Sequence, residues 1–308
     1  MAFSLASLTA YTDQERLPLI TKAVFSARTA SLFTKQVGIK SAATLNLMDT
    51  DAAFQSGTAC GWNVAGAASG TTTFSQRNIT VAPMKIQEAL CPRSLEQYWM
   101  QTQLTQGSTY DGVPFEQAYA EQKALRIAEA LENAIWSGST LVTGLLTILN
   151  AASGSTVSGN TAAISGSITT ANAIQIFDNI YTRIPQAILT RNDLVIFCGW
   201  DVFRTLIGAL KSNTGVMYNQ VDLQGLADGD IIYPGTNVRV VAVPGLLGYN
   251  RLVCSYLGNF FYGTDLLSDE ERFELFWSRD NDEVRFQAAL KIGVQTAYPD
   301  LVVDWRLA

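Results

Sequence analysis

The sequence predicts an α+β fold, and three observations carry the prediction. Helical and strand patterns are interspersed without a regular βαβ repeat, which points away from a parallel α/β sheet. One helical pattern is unusually long, running from Pro114 to Trp136. From Leu252 onward the pattern is almost entirely strand. The composition is that of a folded chain, with 48% hydrophobic and 16% charged residues, against about 25% charged in an average globular protein. So little charge on 308 residues implies that other chains cover much of the surface. The apolar content excludes disorder throughout.

The first 57 residues read as an arm with one helix. Thr12 and Glu15 have the spacing of a capping box. Leu17, Ile20, Val24 and Ala27 then share a helical face, and Pro18 is tolerable only in a first turn, so the helix starts near it.

Residues 52–76 carry no charge. Ile79 and Val81 then alternate with polar neighbours, and after Pro83 the apolar set shifts to Met84, Ile86 and Leu90. A change of phase at a proline predicts a bulge or bend in an edge strand. The stretch reads as one long bent β-hairpin from Thr58 to Pro92, its turn either at Gly66–Gly70 or nearer Ser75. A lone ribbon with apolar side chains in two phases cannot bury both on its own domain. It is therefore expected to project and lie across a neighbouring subunit. The candidate inter-subunit residues are Trp62, Phe74, Arg77, Ile79 and Lys85. The competing expectation is two short strands inside a compact core.

The long helix opens with Pro114 and Glu116. Ala120, Ala124, Ile127, Ala128, Leu131, Ala134 and Ile135 follow helical spacing, and Gly138 ends it. At 1.5 Å per residue it spans roughly 34 Å. Glu121, Gln122, Lys123, Arg126, Glu129 and Glu132 are assigned to the opposite, solvated or interface face. No charge occurs from Asn133 to Phe177, and residues 151–172 are almost wholly small and polar. That stretch is either a linker or a surface loop covered by something. A helix follows with Ile174, Phe177, Ile180, Tyr181 and Ile184 in phase, stopped by Pro185.

Leu194–Cys198 predicts a buried strand, and Asp201 is placed to cap a helix that carries Phe203, Leu206, Ile207 and Leu210. Val238–Val243 is a second buried strand. Leu252–Tyr256, Arg272–Ser278, Glu283–Gly293 and Val302–Trp305 complete the set, with a hairpin turn over Arg279–Asp282.

The residues that are missing exclude whole classes of chemistry. The chain has no histidine, which removes Ser-His-Asp and Cys-His catalysis and histidine-ligated zinc or haem. Cysteines 60, 91, 198 and 254 show no CxxC spacing and read as buried thiols of a reducing cytosol. Neither a Walker A loop nor a GxGxxG turn occurs. Residues 1–15 lack Lys and Arg, and no run of 18 apolar residues exists, so a soluble protein made in the cytoplasm is expected. Net charge is 21 − 27 = −6, which excludes a nucleic-acid binder of the basic type. Asp265, Asp269, Glu270, Glu271, Glu274, Asp280, Asp282 and Glu283 cluster late in the chain. They alternate with Arg272 and Arg279, and lack calcium-loop spacing, so solvated turn charges are the expectation.

This order of elements resembles the major capsid proteins of tailed bacteriophages, with the Hong Kong 97-type fold. The resemblance spans nearly the whole chain and rests on layout. Trp136-Ser-Gly138 and Gly144-Leu-Leu-Thr147 resemble that family's link out of its spine helix, and Leu194–Leu210 is similar to a strand–helix unit of its axial domain. Phe260–Trp305 resembles its peripheral strands. More narrowly, Cys60-Gly-Trp62, Phe74-x-x-Arg77-x-Ile79 and Ala89-Leu-Cys91-Pro92 are similar to capsid proteins of crAss-like phages. The resemblance implies an N-terminal arm (1–57), an extended hairpin loop (58–92), a peripheral segment with the spine helix (93–140), an axial domain (141–255) and peripheral C-terminal strands (256–308).

It further implies a structural subunit that self-assembles into hexamers and pentamers of an icosahedral head. The implied partners are other copies of the chain, portal and scaffold proteins, decoration proteins as a further class, and double-stranded DNA confined without specific recognition. Some members of that family cross-link lysine to asparagine; Lys85 alone does not imply it here. The expected location is a virion capsid, assembled in the cytoplasm of a bacterial host, with no membrane partner, catalytic residue, metal or cofactor. An encapsulin-like compartment shell is the nearest alternative. A carboxylate-dependent enzyme is the alternative of a different class.

Overall fold

The computed structural model describes residues 28–52, 54, 70–91, 115–160, 166–212, 228–265, 273–278, 280–281 and 283–307. In chain order the elements begin with α1 (Arg28–Leu32), β1 (Thr34–Gln36), β2 (Ala42–Thr50), β3 (Thr72–Thr80) and β4 (Ala82–Leu90). The long helix α2 (Phe115–Trp136), α3 (Leu145–Ala151), β5 (Val157–Ser158), α4 (Ala173–Thr182) and α5 (Gln186–Leu189) follow. Then come β6 (Leu194–Gly199), α6 (Trp200–Ser212), β7 (Asp230–Ile232), β8 (Arg239–Val243) and β9 (Arg251–Tyr256). The chain closes with β10 (Phe260–Gly263), β11 (Phe273–Ser278), β12 (Glu283–Thr296) and β13 (Val303–Arg306). The predicted helix near Pro18 lies outside the described residues.

A six-stranded sheet in the order β5-β13-β9-β6-β8-β7 forms one layer. Its central strands are apolar on both faces because both faces are covered, which is why they read as unbroken hydrophobic runs. Leu194, Ile196 and Cys198 of β6 face α4 and α6, together with Ala173, Phe177, Phe203 and Leu206. Val195 and Phe197 face the other way, into a second core with Ile135, Trp136, Leu145 and Leu149 of α2 and α3.

That second core is closed by the other large sheet. Long β12 pairs with β10 and β11 on one side and with β4 on the other, and β1 adds to β10 in parallel. Alternate residues of β12, from Phe286 to Val294, point into the core, with Met84 and Ile86 of β4 beside them. β11 and β12 pair as a hairpin up to Ser278↔Glu283, in line with a turn in the sequence between them. Pro83 sits on β4, an outer strand of this sheet among the described residues, where a missing N–H is tolerated.

Three expectations are corrected here. The hairpin is not 58–92. β3 pairs with β2 from Thr50↔Thr72 to Ala42↔Thr80, so the first strand comes from the segment read as an arm. Ser75 lies mid-strand opposite Leu47 and cannot be the turn. The phase change near Pro83 is real, but it marks the chain leaving the two-stranded ribbon for the larger sheet. Second, β13 belongs with β9 and β5 in the six-stranded sheet, not with the strands that precede it. Third, part of the small-residue stretch 151–172 is built into the fold: Val157 and Ser158 pair with β13, and Gly159 packs on Trp305.

Helix α2 ends as expected. Gly138 has φ +85, and Gly144 returns so close that an added Cβ would lie 2.2 Å from the Gly138 amide nitrogen. The two glycines let the chain reverse from α2 into α3.

Candidate assembly surface

The ribbon β2–β3 is polar along most of its length, and its few apolar residues divide it into two parts. At its base Leu45, Ile79 and Val81 form a small core with Ile39, and Phe261 packs against it. The seat for this base is a pair of glycines opposite each other, Gly263 of β10 and Gly293 of β12. A Cβ on Gly293 would lie 2.2 Å from the Thr80 carbonyl oxygen, and one on Gly263 would lie 2.8 Å from Ile79 Cδ1. The bare backbone is what lets the ribbon press onto the sheet.

Hydrogen bonds continue the attachment upward. Gln295 Nε2 donates to the Asn78 carbonyl at 2.7 Å, Arg77 Nη1 to the Thr296 carbonyl at 3.2 Å, and Tyr298 Oη to the Met48 carbonyl at 3.2 Å. Burial lowers the Arg77 pKa from its ordinary value, with Asp300 acting in the opposite sense.

At the far end Met48 and Phe74 stand directly opposite each other across the two strands. They are 56% and 77% exposed, and Phe54 just beyond them is fully exposed. Isolated exposed hydrophobics are ordinary, but a cross-strand pair on a ribbon is a contiguous apolar patch with no partner from its own domain among the described residues.

The five predicted residues separate accordingly. Phe74 lies in the exposed patch. Arg77 anchors the ribbon to its own chain. Ile79 is fully buried in its own subunit, so its assignment to an inter-subunit surface is corrected. Lys85 is exposed on β4 opposite Ala289, in the larger sheet and not on the ribbon. Trp62 lies outside the described residues. Sequence reasoning missed Leu45, Leu47 and Met48. The signal was present as two-residue alternation of Leu45 and Leu47 with Thr44 and Asn46.

Among the described residues the late carboxylates do not converge. Asp265 pairs with Lys291, Glu283 accepts from Arg285 at 2.8 Å, and Asp280 is exposed. Asp269, Glu270, Glu271 and Asp282 lie outside the described residues. Among the described residues no group of three or more Cys, Asp or Glu could hold a metal ion, and no helix is long and apolar enough to cross a membrane.

No protein-family model and no curated protein matches the chain. Solved structures do. The capsid of the native GTA particle superposes with a TM-score of 0.60 at 13% identity, covering 100% of this chain and 99% of that one. A structure from Mycobacterium phage Adephagia gives 0.60 at 11% identity, covering 99% and 98%. The satellite phage P4 procapsid, which includes a size-determination protein, gives 0.55 at 12% identity, covering 98% and 94%. The chain has a phage-capsid fold. At such low identity the shared feature is the layout of elements, the same property on which the sequence resemblance rests. The α+β class and the likeness to tailed-phage capsid proteins are borne out at the level of the fold.

Proposed function

We propose that this chain is the structural shell subunit of an icosahedral tailed-phage head, assembling with copies of itself into hexamers and pentamers around double-stranded DNA. The observation that carries the reading is the ribbon: locked at its base into its own sheet, and tipped by the exposed Met48–Phe74 pair. On this reading the tip lies on a neighbouring subunit. Covering one such side chain contributes about 1.5–3 kcal/mol, repeated at every contact around the shell. The six-stranded sheet with α4 and α6 corresponds to an axial domain, and the five-stranded sheet with α2 to a peripheral one. Portal and scaffold proteins would complete the particle, and the shell would form in the host cytoplasm. A net charge of −6 suits a genome confined by the shell and not gripped by it.

The test is to replace residues 48–74 with Asn-Gly, which joins the paired positions Leu47 and Ser75 by a two-residue turn. The small core at the ribbon base is retained. The shortened chain should remain folded and soluble and fail to form closed particles under conditions where the full chain forms them. Normal particles from the shortened chain would overturn the assignment of the ribbon. A full chain that stays monomeric at high concentration, with and without scaffold, would overturn the function.

A further inference from the structure

Residues 28–36 bridge three parts of the molecule. The Arg28 guanidinium reaches the six-stranded sheet, donating to the carbonyls of Asp228, Gly229 (3.5 Å) and Ala242 (3.2 Å) and meeting Asp230 Oδ2 at 3.4 Å. The Phe33 ring stacks on Phe260 at 5.1 Å and meets Trp136 and Phe197 edge-on. β1 extends the other sheet in parallel with β10. Between these anchors the segment is tied to α2 by the Trp136 indole, which donates to Thr29, and by one carboxylate. Glu132 is fully buried, and its two oxygens accept from the Thr29 amide (2.5 Å) and the Thr29 hydroxyl (2.6 Å).

The direction of these bonds is fixed. The Trp136 indole can only donate, and it donates to Thr29 Oγ1 at 2.9 Å, so the Thr29 hydroxyl proton is turned toward Glu132. The arrangement suits an ionised carboxylate, while the site around it does not. The turn Pro244–Leu246 packs on this stretch of α2, with Gly245 against the Glu132 carbonyl. That turn and the neighbouring α3 carry no titratable side chain. On α2 itself Glu129 is engaged with Arg126. From α1 the facing charge is Arg28, which is already committed to the carbonyls and to Asp230, itself bound by Arg239.

We propose that Glu132 and Thr29 form a pH-sensitive catch that holds residues 28–36 against α2 and slackens as the pH rises toward neutrality, letting the two sheets shift relative to each other. Burial raises the Glu132 pKa to about 7, against the opposing pull of the Thr29 hydrogen bonds and Arg28. Once the segment lifts away, water reaches the carboxylate and its pKa falls to the ordinary value. The closed form therefore binds the proton more tightly than the open form. Closure is fully favoured at acid pH and is lost progressively as the pH climbs to about 7, above which the loss levels off. This inference does not depend on the proposed shell function.

Hydrogen exchange of the full-length soluble chain between pH 5.5 and 8, corrected for intrinsic rates, reads the catch directly. Opening of residues 28–36 should increase about tenfold per pH unit up to about pH 7 and then level off. α4, buried in the core on the other face of the six-stranded sheet, should not follow the same curve. Glu132→Gln keeps an acceptor for Thr29 and cannot ionise, so its opening should be flat across the range. Thr29→Val removes the hydroxyl that favours the charged form, so the levelling-off should move above pH 7. A flat wild-type profile, or a wild-type slope matched by Glu132→Gln, would overturn the proposal. If Glu132→Gln does not fold, an unmoved profile in Thr29→Val overturns it alone.

Discussion

Replacing Gly293 with alanine tests how the ribbon is seated. The added methyl would lie 2.2 Å from the Thr80 carbonyl oxygen, 2.9 Å from its carbon and 3.2 Å from Val81 Cα. All three are backbone atoms in a stretch held by the β2 ladder and the β4 ladder, so no side-chain rotation relieves the clash. Neither Gly293 nor Gly263 has a positive φ, so conformational freedom is not the issue and the effect is steric. Overpacking costs about 1–3 kcal/mol, and a clash with fixed backbone belongs at the upper end. Gly263→Ala is the internal control. Its methyl meets Ile79 Cδ1 at 2.8 Å and Ile39 Cδ1 at 3.1 Å, both side-chain ends that can turn aside, for about 1 kcal/mol. At about 2–4 °C per kcal/mol, Gly293→Ala should lower the Tm of the dissociated subunit by roughly 6 °C or more, and Gly263→Ala by a few degrees. Scanning calorimetry measures both, and hydrogen exchange over residues 72–80 should show protection lost there first. An alanine at 293 that costs no more than one at 263, with ribbon protection intact, would refute the seating argument.

Four further perturbations have defined outcomes. Met48→Ser with Phe74→Ser should change subunit stability by less than about 0.5 kcal/mol, since both side chains are exposed, yet sharply reduce closed particles in sedimentation. Asp304→Leu should cost about 3–5 kcal/mol by leaving a charge buried and unpaired. Arg251 donates to both Asp304 oxygens, at 2.8 and 2.7 Å, in a buried site; adding Arg251→Met should recover most of the loss in urea titration. Cys198 and Cys254 are fully enclosed, and burial pushes both thiols well up. A disulfide reagent should therefore label exposed Cys91 in the native chain and reach those two only after unfolding. Asp280→Asn, at an exposed turn, should leave Tm and assembly unchanged.

Elements defined by local pattern were legible in the sequence, and pairings across distance were not. The run Leu194–Cys198 could only be a strand covered on both faces, and its two faces do enter two different cores. The spacing from Ile127 to Ile135 and the stop at Gly138 located the end of α2 correctly. The ribbon failed for a physical reason. β3 is mostly polar, so nothing in it selects β2 over the residues just before it. Only the joint burial of Leu45, Ile79 and Val81 against Ile39 selects the pairing, and that contact is made between distant parts of the chain. The placement of β13 failed the same way: Val303, Asp304 and Trp305 read like any strand, and the Arg251–Asp304 pair and the β9 and β5 registers say which sheet they join.

Glu132 shows where the limit lies. Read along a helix, it stands among Lys123, Arg126 and Glu129 and belongs to a solvated face; the structure instead buries it completely. The helical pattern contained a warning, because Glu132 is four residues from both Ala128 and Trp136, and Trp136 is buried too. At that end α2 is covered from two directions, by α1 and by the turn at Pro244–Leu246. The polar stripe that water would otherwise receive is therefore roofed over. A carboxylate left under that roof must find donors or lose its charge. Thr29 supplies two donors, and burial moves the pKa toward neutrality. The same geometry that makes the residue illegible in sequence makes it titratable where an exposed glutamate would not be. A charged residue at the covered end of a helix is thus worth reading as a constraint on which segment packs there.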